Sequence, residues 1–427
     1  MRVLITGASG FIGSALAARL VGEGHQVVSV SRNRSNPGPV RHFSIDMARA
    51  TSPSDWTRAL DGVDAVVNCA GAFQSGAGDS VRGVHVEGAK ALFFACEQHG
   101  IRRVIHISAA GVEREAPTKF SQTKREGEHA LMARDLDWVV LRPGVVIGRS
   151  AYGGSALIRG LAALPVLPVL PGTGPVQIVH LDDLIDTVLF FLRSGAPSRL
   201  ALDIVGPKRW KFEDIVRVFR QWMRWPRSAS VNVPAWGSRL LYGSGDIAHA
   251  FGWRTPITNT ARREMARGAV GDPAPWRDVT GITPRDLEES LMRDPASVQE
   301  RWFARMYVLK PLVFGAFGAF WIATGLISLG PGYESGMALL REGGLPEKFG
   351  ILTLVAGALA DIAIGLAILY RPVSRYGLYA ALLVSIAYVI IGTALVPRLW
   401  ADPLGPLLKI WPVLVLNLVA LAIREDR

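Results

Sequence analysis

The chain has 427 residues, more than one ordinary domain holds and enough for two or three. Hydrophobic residues make up 49% of it and charged residues only 19%, which excludes an intrinsically disordered or collagen-like chain and indicates that part of the protein lies in lipid. The net charge is +11 without a dense Lys/Arg block, and neither the 2 cysteines nor the 8 histidines have the spacing of a zinc site, so we expect no nucleic-acid partner and no bound metal.

The N-terminal stretch carries strand, turn, helix and strand patterns in that order. A β-rich run at 2–6 precedes a glycine turn, an apolar helical pattern and a second β-rich run at 27–30. In such a unit Gly7 permits the tight turn, Gly10 lets a pyrophosphate approach the backbone, and Gly13 lets the helix pack on the strand. The N–H groups that start the helix bind the phosphates. We therefore expect the turn to hold a dinucleotide through Gly7, Ser9, Gly10, Phe11, Ile12 and Gly13.

The end of the second strand bears on the choice between the two nicotinamide cofactors. An NAD-selective site usually places an acidic side chain there, which accepts hydrogen bonds from the ribose hydroxyls. This chain has Ser31 and Arg32, and neither of the next two residues is acidic. Arg32 can pair with a 2′-phosphate while Ser31 donates a hydrogen bond, so the sequence favours NADP(H) over NAD(H). The alternative is that Arg32 is an ordinary solvated loop residue.

Strand and helix patterns continue to alternate further along the chain. The β-rich runs at 64–71, 103–108 and 137–144 are separated by helical patterns such as 84–99. This alternation predicts the α/β class, with a doubly wound parallel Rossmann sheet covered by helices on both faces. Ligands of such sheets sit at the carboxyl ends of the strands. The candidate positions near that edge are Gly7, Arg32, Gly71, Ser108 and Pro143.

Several motifs follow one another in the order of a known superfamily. They are TGASGFIG at 6–13, Asp46 in SIDM, NCAG at 68–71, HISAAG at 106–111, LRPGVVIG at 141–148 and VHLDD at 179–183. Over about residues 1–225 the chain resembles the extended and atypical branch of the short-chain dehydrogenases/reductases, and it is similar to the atypical members related to an accessory subunit of respiratory complex I. The resemblance implies that Asp46 approaches the adenine and that Ala70 and Gly71 line the cofactor.

The same resemblance implies a catalytic set, and the chain departs from it at one position. Members of the superfamily use a Ser, a Tyr and a Lys. The Tyr passes a proton to or from the substrate oxygen, and the Lys holds the nicotinamide ribose and lowers the pKa of the Tyr. Ser108 and Lys124 match, but Phe120 occupies the tyrosine position and has no exchangeable proton. Either Ser121 or a water molecule substitutes, or Ser108 and Lys124 only hold the cofactor.

The stretch 213–225 has the pattern of an amphipathic helix, with Ile215, Val218, Phe219 and Trp222 on one face. That face packs either on the core of the substrate lobe or on a membrane surface. We divide the chain into an NAD(P)-binding Rossmann domain at 1–225, a substrate-side lobe and linker at 226–305, and a membrane domain at 306–427.

Four long apolar stretches lie in the last part of the chain, at about 307–329, 349–370, 376–397 and 404–423. Each is about as long as the roughly 20 residues that a helix needs to cross a bilayer, and in lipid a helix satisfies its backbone internally. The sequence therefore predicts a C-terminal four-helix transmembrane bundle. By the positive-inside rule, the loop arginines place both termini and the Rossmann domain in the cytoplasm, at the inner (plasma) membrane.

The spans contain Lys310-Pro311, FWIATG at 320–325 and LADIAIG at 359–365. In these features they resemble the DoxX-like membrane family, over about residues 306–423. Its members are linked loosely to redox processes. Asp361 interrupts the second span, where a carboxyl group is costly and indicates function. It is either a proton carrier or a group held by an inter-helix hydrogen bond or ion pair, with Lys409 in the fourth span or Lys310 in the first as the candidate ionic partners.

These patterns lead to two hypotheses of function. The first is a membrane-tethered NAD(P)H-binding oxidoreductase acting on a lipophilic substrate such as a quinone or isoprenoid, because tethering raises the concentration of the cofactor domain where such molecules dissolve. The second is a non-catalytic dinucleotide-binding sensor or assembly subunit of a membrane redox complex, which Phe120 favours. The expected partners are a nicotinamide dinucleotide, the lipid bilayer, and a lipophilic substrate or membrane redox partner.

Overall fold

A computed structural model describes residues 1–32, 40–76 and 80–425 of the chain. These residues form two units, one of Met1–Ile247 with Thr255–Arg301 and the other of Ala248–Arg254 with Trp302–Arg427. The described strands are β1 (Arg2–Thr6), β2 (Gln26–Ser31), β3 (Arg41–Ser44), β4 (Ala65–Asn68), β5 (Arg103–Ile107), β6 (Asp137–Pro143), β7 (Val145–Ile147), β8 (Val166–Val169), β9 (Val176–His180), β10 (Leu200–Ile204), β11 (Arg209–Trp210) and β12 (Ala229–Asn232).

The helices divide between the two units. In chain order they are α1 (Phe11–Gly22), α2 (Thr57–Leu60), α3 (Gly88–Gln98), α4 (Lys119–Met132), α5 (Gly153–Ala162), α6 (Leu181–Leu192), α7 (Phe212–Trp222), α8 (Ala235–Ala250), α9 (Asn259–Arg267), α10 (Ala274–Thr280), α11 (Leu287–Arg293), α12 (Val298–Leu329), α13 (Tyr333–Glu342), α14 (Glu347–Leu369), α15 (Ser374–Leu395) and α16 (Ile410–Ile423). Helices α8 and α12 begin in the first unit and end in the second.

Seven strands form one parallel sheet in the order β10, β6, β5, β4, β1, β2, β3. Strand β4 is buried along its whole length and β1 along all but its first residue, which explains their continuous Val, Leu and Ile runs. Val3 and Ile5 belong to the core on the side of α1 and α6, whereas Leu4 belongs to the core on the side of α3. The predicted doubly wound Rossmann sheet is confirmed.

The winding of the sheet reverses between β1 and β4. Strand β1 pairs with β2 on one side and with β4 on the other. In open parallel sheets the crevice at such a switch point receives the ligand. Gly7 follows β1 and Ala70 follows β4, and a side-chain carbon on Gly7 would lie 2.9 Å from the Ala70 backbone. The two loops therefore meet at the switch point.

A smaller lobe completes the first unit. Strands β7 and β11 flank β9 in a three-stranded sheet, and β12 pairs with β8. Helix α7 buries Ile215, Val216 and Phe219, and the Trp222 indole donates to the Asp294 carbonyl oxygen at 2.7 Å. The apolar face of α7 therefore packs on protein, which decides between the two alternatives for this helix.

Three described helices are long and apolar enough to cross a membrane: α12, α14 and α15. Helix α14 has 23 residues and α15 has 22. The fourth predicted span corresponds to α16, which has only 14 residues and is shorter than the roughly 20 that a crossing helix needs. The prediction of a four-helix transmembrane bundle is therefore confirmed for three helices and not for the fourth.

Asp361 of α14 bonds to a tyrosine instead of a lysine. The Tyr388 hydroxyl of α15 donates to Asp361 Oδ1 at 2.9 Å, and Asp361 is only 2% exposed. Lys310 donates to two carbonyl oxygens near the end of α16, and Lys409 immediately precedes that helix. The alternative of an inter-helix hydrogen bond is therefore confirmed, and that of an ion pair between Asp361 and either lysine is contradicted.

Candidate functional site

Three glycines close the turn between β1 and α1. Gly7 has a φ of +63°, a left-handed conformation that favours glycine. The Gly10 amide donates to the Gly7 carbonyl oxygen at 2.8 Å, and a side-chain carbon on Gly10 would lie 2.9 Å from that oxygen. A side-chain carbon on Gly13 would lie closer still. Larger residues do not fit at these positions, so the backbone of the turn stays uncovered.

Helix α1 starts directly after this turn. Gly10 offers no side-chain cap, and the first helical turn contains no acidic residue. The first N–H groups of a helix have no partner within it, and together with the helix dipole they form an anion site. Ser9 stands in the turn, and Phe11 and Ile12 open the helix. The start of α1 is therefore suited to a pyrophosphate.

A buried arginine braces the loop next to this helix start. Arg159 of α5 is 2% exposed, and its Nη2 donates to the Gly148 carbonyl oxygen at 2.8 Å. Its guanidinium lies 5.2 Å from the centre of the Phe219 ring, and burial lowers its pKa to about 10. A side-chain carbon on Gly148 would lie 3.4 Å from the Phe11 ring. The sequence did not single out Arg159, because nothing in the local pattern distinguishes it from a solvated arginine.

The residues predicted for the adenosine end lie where β2 and β3 finish. Ser31 is the last residue of β2 and is buried, and Arg32 follows it with an exposed side chain. The Ser44 hydroxyl donates to the Arg32 carbonyl oxygen at 2.8 Å. Asp46 closes its own turn, since its Oδ1 accepts from the amide two residues further on at 3.1 Å. Residues 33–39, which continue the loop after Arg32, lie outside the described residues.

Asn68 ties together the ends of three strands. Its Oδ1 accepts from the Thr6 hydroxyl at 2.6 Å and from the Ala70 amide at 3.3 Å. Its Nδ2 donates to His106 Nδ1 at 3.0 Å. Burial lowers the pKa of His106 well below its usual range, so the ring accepts this bond as a neutral imidazole. Asn68 therefore holds Ala70 and Gly71 where β4 enters its loop.

Ser108 and Lys124 meet at the end of β5. Lys124 Nζ donates to the Ile107 carbonyl oxygen at 2.8 Å, and a side-chain carbon on Gly71 would lie 3.6 Å from Nζ. Ser108 is 5% exposed, and its hydroxyl has no hydrogen-bond partner among the described residues. Burial lowers the pKa of Lys124 to about 8, against the opposing effect of Glu128. The buried Ser108 hydroxyl thus follows the residue whose carbonyl oxygen binds the buried Lys124 ammonium, and that ammonium lies next to the loop of Gly71.

The predicted cofactor residues all lie at the carboxyl edge of the sheet. Pro143 is the last residue of β6, and its carbonyl oxygen accepts from the Ala110 amide at 2.9 Å. The order of the strands in the sheet determines the order in which these residues follow one another along its carboxyl edge. Asp46 and Arg32 stand at the β2–β3 end, the glycine turn is central, and Ser108 stands beyond it at β5.

Phe120 sits on α4 in an apolar contact. Its ring centre lies 4.9 Å from that of Phe73 and 5.7 Å from that of His85. Ser121, the next residue, is fully buried, and its hydroxyl donates to Glu264 of α9 at 2.8 Å. The prediction that Ser121 could replace the tyrosine as proton donor is therefore contradicted, because its proton is committed to this carboxylate.

His85 borders the same site and was missed at the level of sequence. It lies in a π-helical turn, Gly83–Glu87, and its Nε2 accepts from the Ala72 amide at 3.0 Å. The ring proton is therefore on Nδ1, which donates to Thr123 Oγ1 at 2.9 Å. Burial, with a smaller effect of the Lys124 charge, lowers the pKa of His85 well below its usual range. His85 is thus a neutral clamp between the loop after β4 and α4.

An apolar pocket lies in the smaller lobe of the first unit. Its walls come mainly from α5, from α8 and from the segment that includes α9, and they include Leu157, Leu161, Leu170, Tyr242, Ile257 and Met265. Met265 is the neighbour of Glu264, whose carboxylate accepts from Ser121 on α4. Helix α9 therefore lines the pocket and also contacts the helix that carries Lys124.

Two family models match the chain. Residues 7–159 match an NAD(P)H-binding family, and residues 318–418 match a DoxX-like family. The second match falls in the region of the membrane-length helices. Both resemblances drawn from the sequence motifs are confirmed by these matches.

Several curated proteins are similar to part of the chain. An uncharacterized protein of Mycobacterium tuberculosis is 31% identical over 199 residues, which are 44% of this chain and 21% of that protein. The ceramide reductase of Caulobacter vibrioides is 28% identical over 222 residues, 50% of this chain and 68% of the reductase. The 40 kDa subunit of mitochondrial NADH-ubiquinone oxidoreductase from Neurospora crassa is 23% identical over 299 residues, 66% of this chain and 76% of the subunit.

The relatives differ in how much of their own length the chain covers. The chain spans about a fifth of the length of the mycobacterial relative. It is distantly homologous to the respiratory subunit, which agrees with the resemblance drawn from the motifs. The structure of MoeE5 in complex with UDP-glucose and NAD has a TM-score of 0.54 at 20% identity, over 72% of this chain and 100% of MoeE5. At that identity the likeness establishes the fold.

Proposed function

Because the chain joins an NAD(P)H-binding Rossmann domain to DoxX-like membrane helices, we propose that it is a membrane-tethered oxidoreductase of a lipophilic substrate such as a quinone or isoprenoid. One observation carries the proposal. The Ser108 hydroxyl is buried without a partner among the described residues, directly after Ile107, whose carbonyl oxygen accepts from Lys124 Nζ. A buried donor without an acceptor is unfavourable, and a substrate carbonyl oxygen would satisfy it.

The carboxyl edge of the sheet fits a dinucleotide. The uncovered backbone at 7–13 and the start of α1 would hold the pyrophosphate. Arg32 would pair with a 2′-phosphate and Ser31 would donate to it, so we propose NADP(H) in preference to NAD(H). Asp46 would approach the adenine, and the remaining lining residues would be Ala70, Gly71, Lys124 and Pro143. When bound, the nicotinamide supplies a hydride.

Lys124 is the proposed source of the proton. Reduction adds one hydride and one proton to the substrate. In an aldehyde or ketone the hydride goes to the carbonyl carbon and the proton to its oxygen, whereas a quinone becomes a quinol that carries both hydrogens on its oxygens. In each case the site needs a proton donor in place of the tyrosine. A pKa of about 8 lets the Lys124 ammonium release a proton from Nζ near neutral pH and regain one from water. Ser108 would polarise the oxygen by donating to it. His85 and Ser121 donate their protons elsewhere.

Two observations support a lipophilic substrate. The pocket of the smaller lobe is lined by aliphatic side chains such as Leu157 and Leu161, and the neighbouring helix α9 contacts α4. Burial of apolar substrate surface there would contribute about 25 cal/mol per Å². The Caulobacter relative is named a ceramide reductase, and ceramide is a lipid.

The division of labour along the chain is part of the proposal. Residues 1–225 would bind the dinucleotide, 226–305 would complete the substrate side, and 306–427 would form the membrane domain. We propose that α16, extended by the turns before it, makes the fourth crossing. An even number of crossings and the arginine-bearing loops would place the Rossmann domain in the cytoplasm at an inner membrane.

The test uses the full chain in liposomes, with NADPH and a panel of quinones, isoprenoid aldehydes and long-chain ketones. We expect at least one compound to cause loss of the absorbance of the reduced cofactor. Gly10→Asp should abolish this turnover, since a carboxylate would repel the pyrophosphate. Ser108→Ala should lower kcat while NADPH binding persists. Tight NADPH binding with no turnover of any compound would count against the enzyme.

Phe120 favours a second candidate function, a non-catalytic sensor or assembly subunit of a membrane redox complex. The distant homology to a respiratory subunit supports it as well. In that case NADPH would bind and protect the amides of the glycine turn from hydrogen exchange. The Ser108→Ala variant would then bind NADPH with nearly unchanged affinity, and no panel compound would be turned over.

A further inference from the structure

Helix α8 packs on its unit through one narrow face. Its buried residues are Ser238, Tyr242 and Gly245, at a spacing that places them on one side of the helix. A side-chain carbon on Gly245 would overlap the Ile257 carbonyl oxygen, so one backbone lies directly against another there. This close contact determines which side of α8 faces the protein.

The opposite face of α8 carries three large apolar side chains. Trp236, Leu240 and Ile247 are 68%, 67% and 64% exposed. A helix turns by about 100° per residue, so these three lie within about 40° of one another and about 180° from the buried face. A helix that faces water normally has the reverse pattern. A row of exposed apolar side chains marks a surface that another apolar phase covers.

The part of the sequence that contains α8 is strongly cationic. The segment 224–263 contains six arginines and a single acidic residue. That residue, Asp246, already accepts from the side chain of Asn259 at 2.6 Å. The arginines all have exposed side chains, and they are Arg224, Arg227, Arg239, Arg254, Arg262 and Arg263. Exposed apolar side chains in an arginine-rich segment are complementary to the surface of a lipid bilayer, which has an apolar interior and anionic headgroups.

The chain that follows α8 is attached to the membrane helices. Residues 248–254 belong to the second unit, where the Trp253 indole donates to the Leu369 carbonyl oxygen at 2.7 Å. In the same unit the Arg371 amide donates to the Phe251 carbonyl oxygen at 3.0 Å. Leu369 ends α14, and Arg371 precedes α15, both helices of membrane-crossing length. The segment after α8 is thus joined to a membrane-helix end.

We propose that α8 lies in the interface of the bilayer, with Trp236, Leu240 and Ile247 among the acyl chains and the nearby arginines among anionic lipid headgroups. The occupant of this face is the lipid that the chain already spans. A second copy of the chain fits less well, because a symmetric contact would bring the same arginine-rich surfaces together. The proposal holds whether or not the chain turns over a substrate.

The test measures the surroundings of a nitroxide label at Leu240→Cys in the full chain, after replacing Cys69 and Cys96 by alanine. Lys90→Cys, on the exposed surface of α3, is the matched control. In liposomes with anionic lipid, the ratio of collisions with dissolved oxygen to collisions with a water-soluble nickel chelate should be several-fold higher at position 240 than at position 90. Equal ratios would overturn the proposal.

Two further measurements separate lipid from a protein partner. Replacing the anionic lipid by zwitterionic lipid should lower the oxygen-to-nickel ratio at position 240, and Arg239→Glu should do the same. A label at position 240 that is shielded from both reagents and broadened by a second label would mean that another copy of the chain covers this face, which would overturn the lipid assignment. Retained NADPH binding would establish that each labelled variant is folded.

Discussion

Lys124 Nζ donates to the carbonyl oxygen of Ile107 at 2.8 Å. The bond holds the buried ammonium beside the residue that precedes Ser108. In this chain a backbone oxygen therefore orients the lysine, although the residue one helical turn before it is Phe120 and not a tyrosine. Because burial also lowers the pKa of Lys124 to about 8, its protonation state can change under ordinary conditions.

The first prediction concerns the pH dependence of NADPH binding. Binding that uses the protonated Nζ is strongest below the pKa of Lys124 and weakens as the pH rises through about 8. Affinity measured by fluorescence titration between neutral and mildly alkaline pH should therefore fall with rising pH. The Lys124→Met variant should bind more weakly and show no fall near pH 8, and Lys124→Arg should stay charged and also lack it. A fall that persists in Lys124→Met would contradict this assignment.

Glu128 tunes the same lysine. It is fully buried, forms an ion pair with Arg142 at 2.6 Å, and raises the pKa of Lys124 against the effect of burial. Glu128→Gln should therefore move the midpoint of the pH profile below that of the unsubstituted protein and lower the melting temperature. Glu126→Gln, at an exposed position of the same helix, serves as the control and should change neither quantity.

Phe120→Tyr should add a second proton donor in addition to Lys124, the phenol at the tyrosine position of the superfamily that the chain resembles. General acid catalysis typically contributes about 10²- to 10⁴-fold, so kcat with a carbonyl substrate should rise by about 100-fold or more. Phe120→Leu keeps the position apolar and should not raise kcat. If Phe120→Tyr binds NADPH normally and kcat stays constant, a side chain at position 120 does not reach the substrate oxygen or the site is not catalytic.

Gly13 should be intolerant of any side chain. A side-chain carbon there would overlap the Gly7 carbonyl oxygen. Overpacking typically costs about 1–3 kcal/mol of folding stability, so Gly13→Ala should lower the melting temperature, and NADPH binding should weaken because the turn at Gly7 has to move. Gly22→Ala is the control, since the last residue of the same helix has open space around it. It should leave binding unchanged and slightly raise the melting temperature, because alanine favours helix.

Arg32 should discriminate between the two cofactors. A hydrogen bond to a charged group contributes about 1.5–3 kcal/mol, so Arg32→Ala should weaken NADPH binding by about ten- to a hundredfold. NADH lacks the 2′-phosphate, and its affinity should change little. Arg41→Ala on the neighbouring strand β3 is the control and should affect neither cofactor. Equal losses for the two cofactors in Arg32→Ala would mean that Arg32 does not read the 2′-phosphate.

Much of the candidate site could be predicted because its residues follow local patterns. The order of strands and helices predicted that the residues after β1, β4 and β5 share one edge of the sheet. Gly7, Gly71 and Ser108 do lie at that edge. The limits of prediction appear with His85, which the pattern treats as one residue of an apolar helix. Its role as a neutral clamp depends on Ala72 and Thr123, far apart in the chain.

The membrane part illustrates the same division. The apolar stretches at about 307–329, 349–370 and 376–397 predicted the three long helices, since crossing a bilayer requires only length and apolar composition. The bonding partner of Asp361 followed no sequence pattern, because several polar residues could have reached it. The packing of α14 on α15 brought Tyr388 to it. Helix α16 begins at Ile410 although the apolar stretch begins at about residue 404, because the first residues of that stretch form turns.

The amino-acid sequence by itself determined the Rossmann order, the glycine turn, the apolar helices and the phenylalanine at the tyrosine position, because each depends on neighbouring residues and on spacing along the chain. Only the tertiary structure decided that Lys124 is buried against Ile107, that Ser121 is committed to Glu264, and that α8 turns its apolar row outward. Those properties depend on contacts between residues far apart in the chain, and burial, not composition, determines the charge and proton that each group carries.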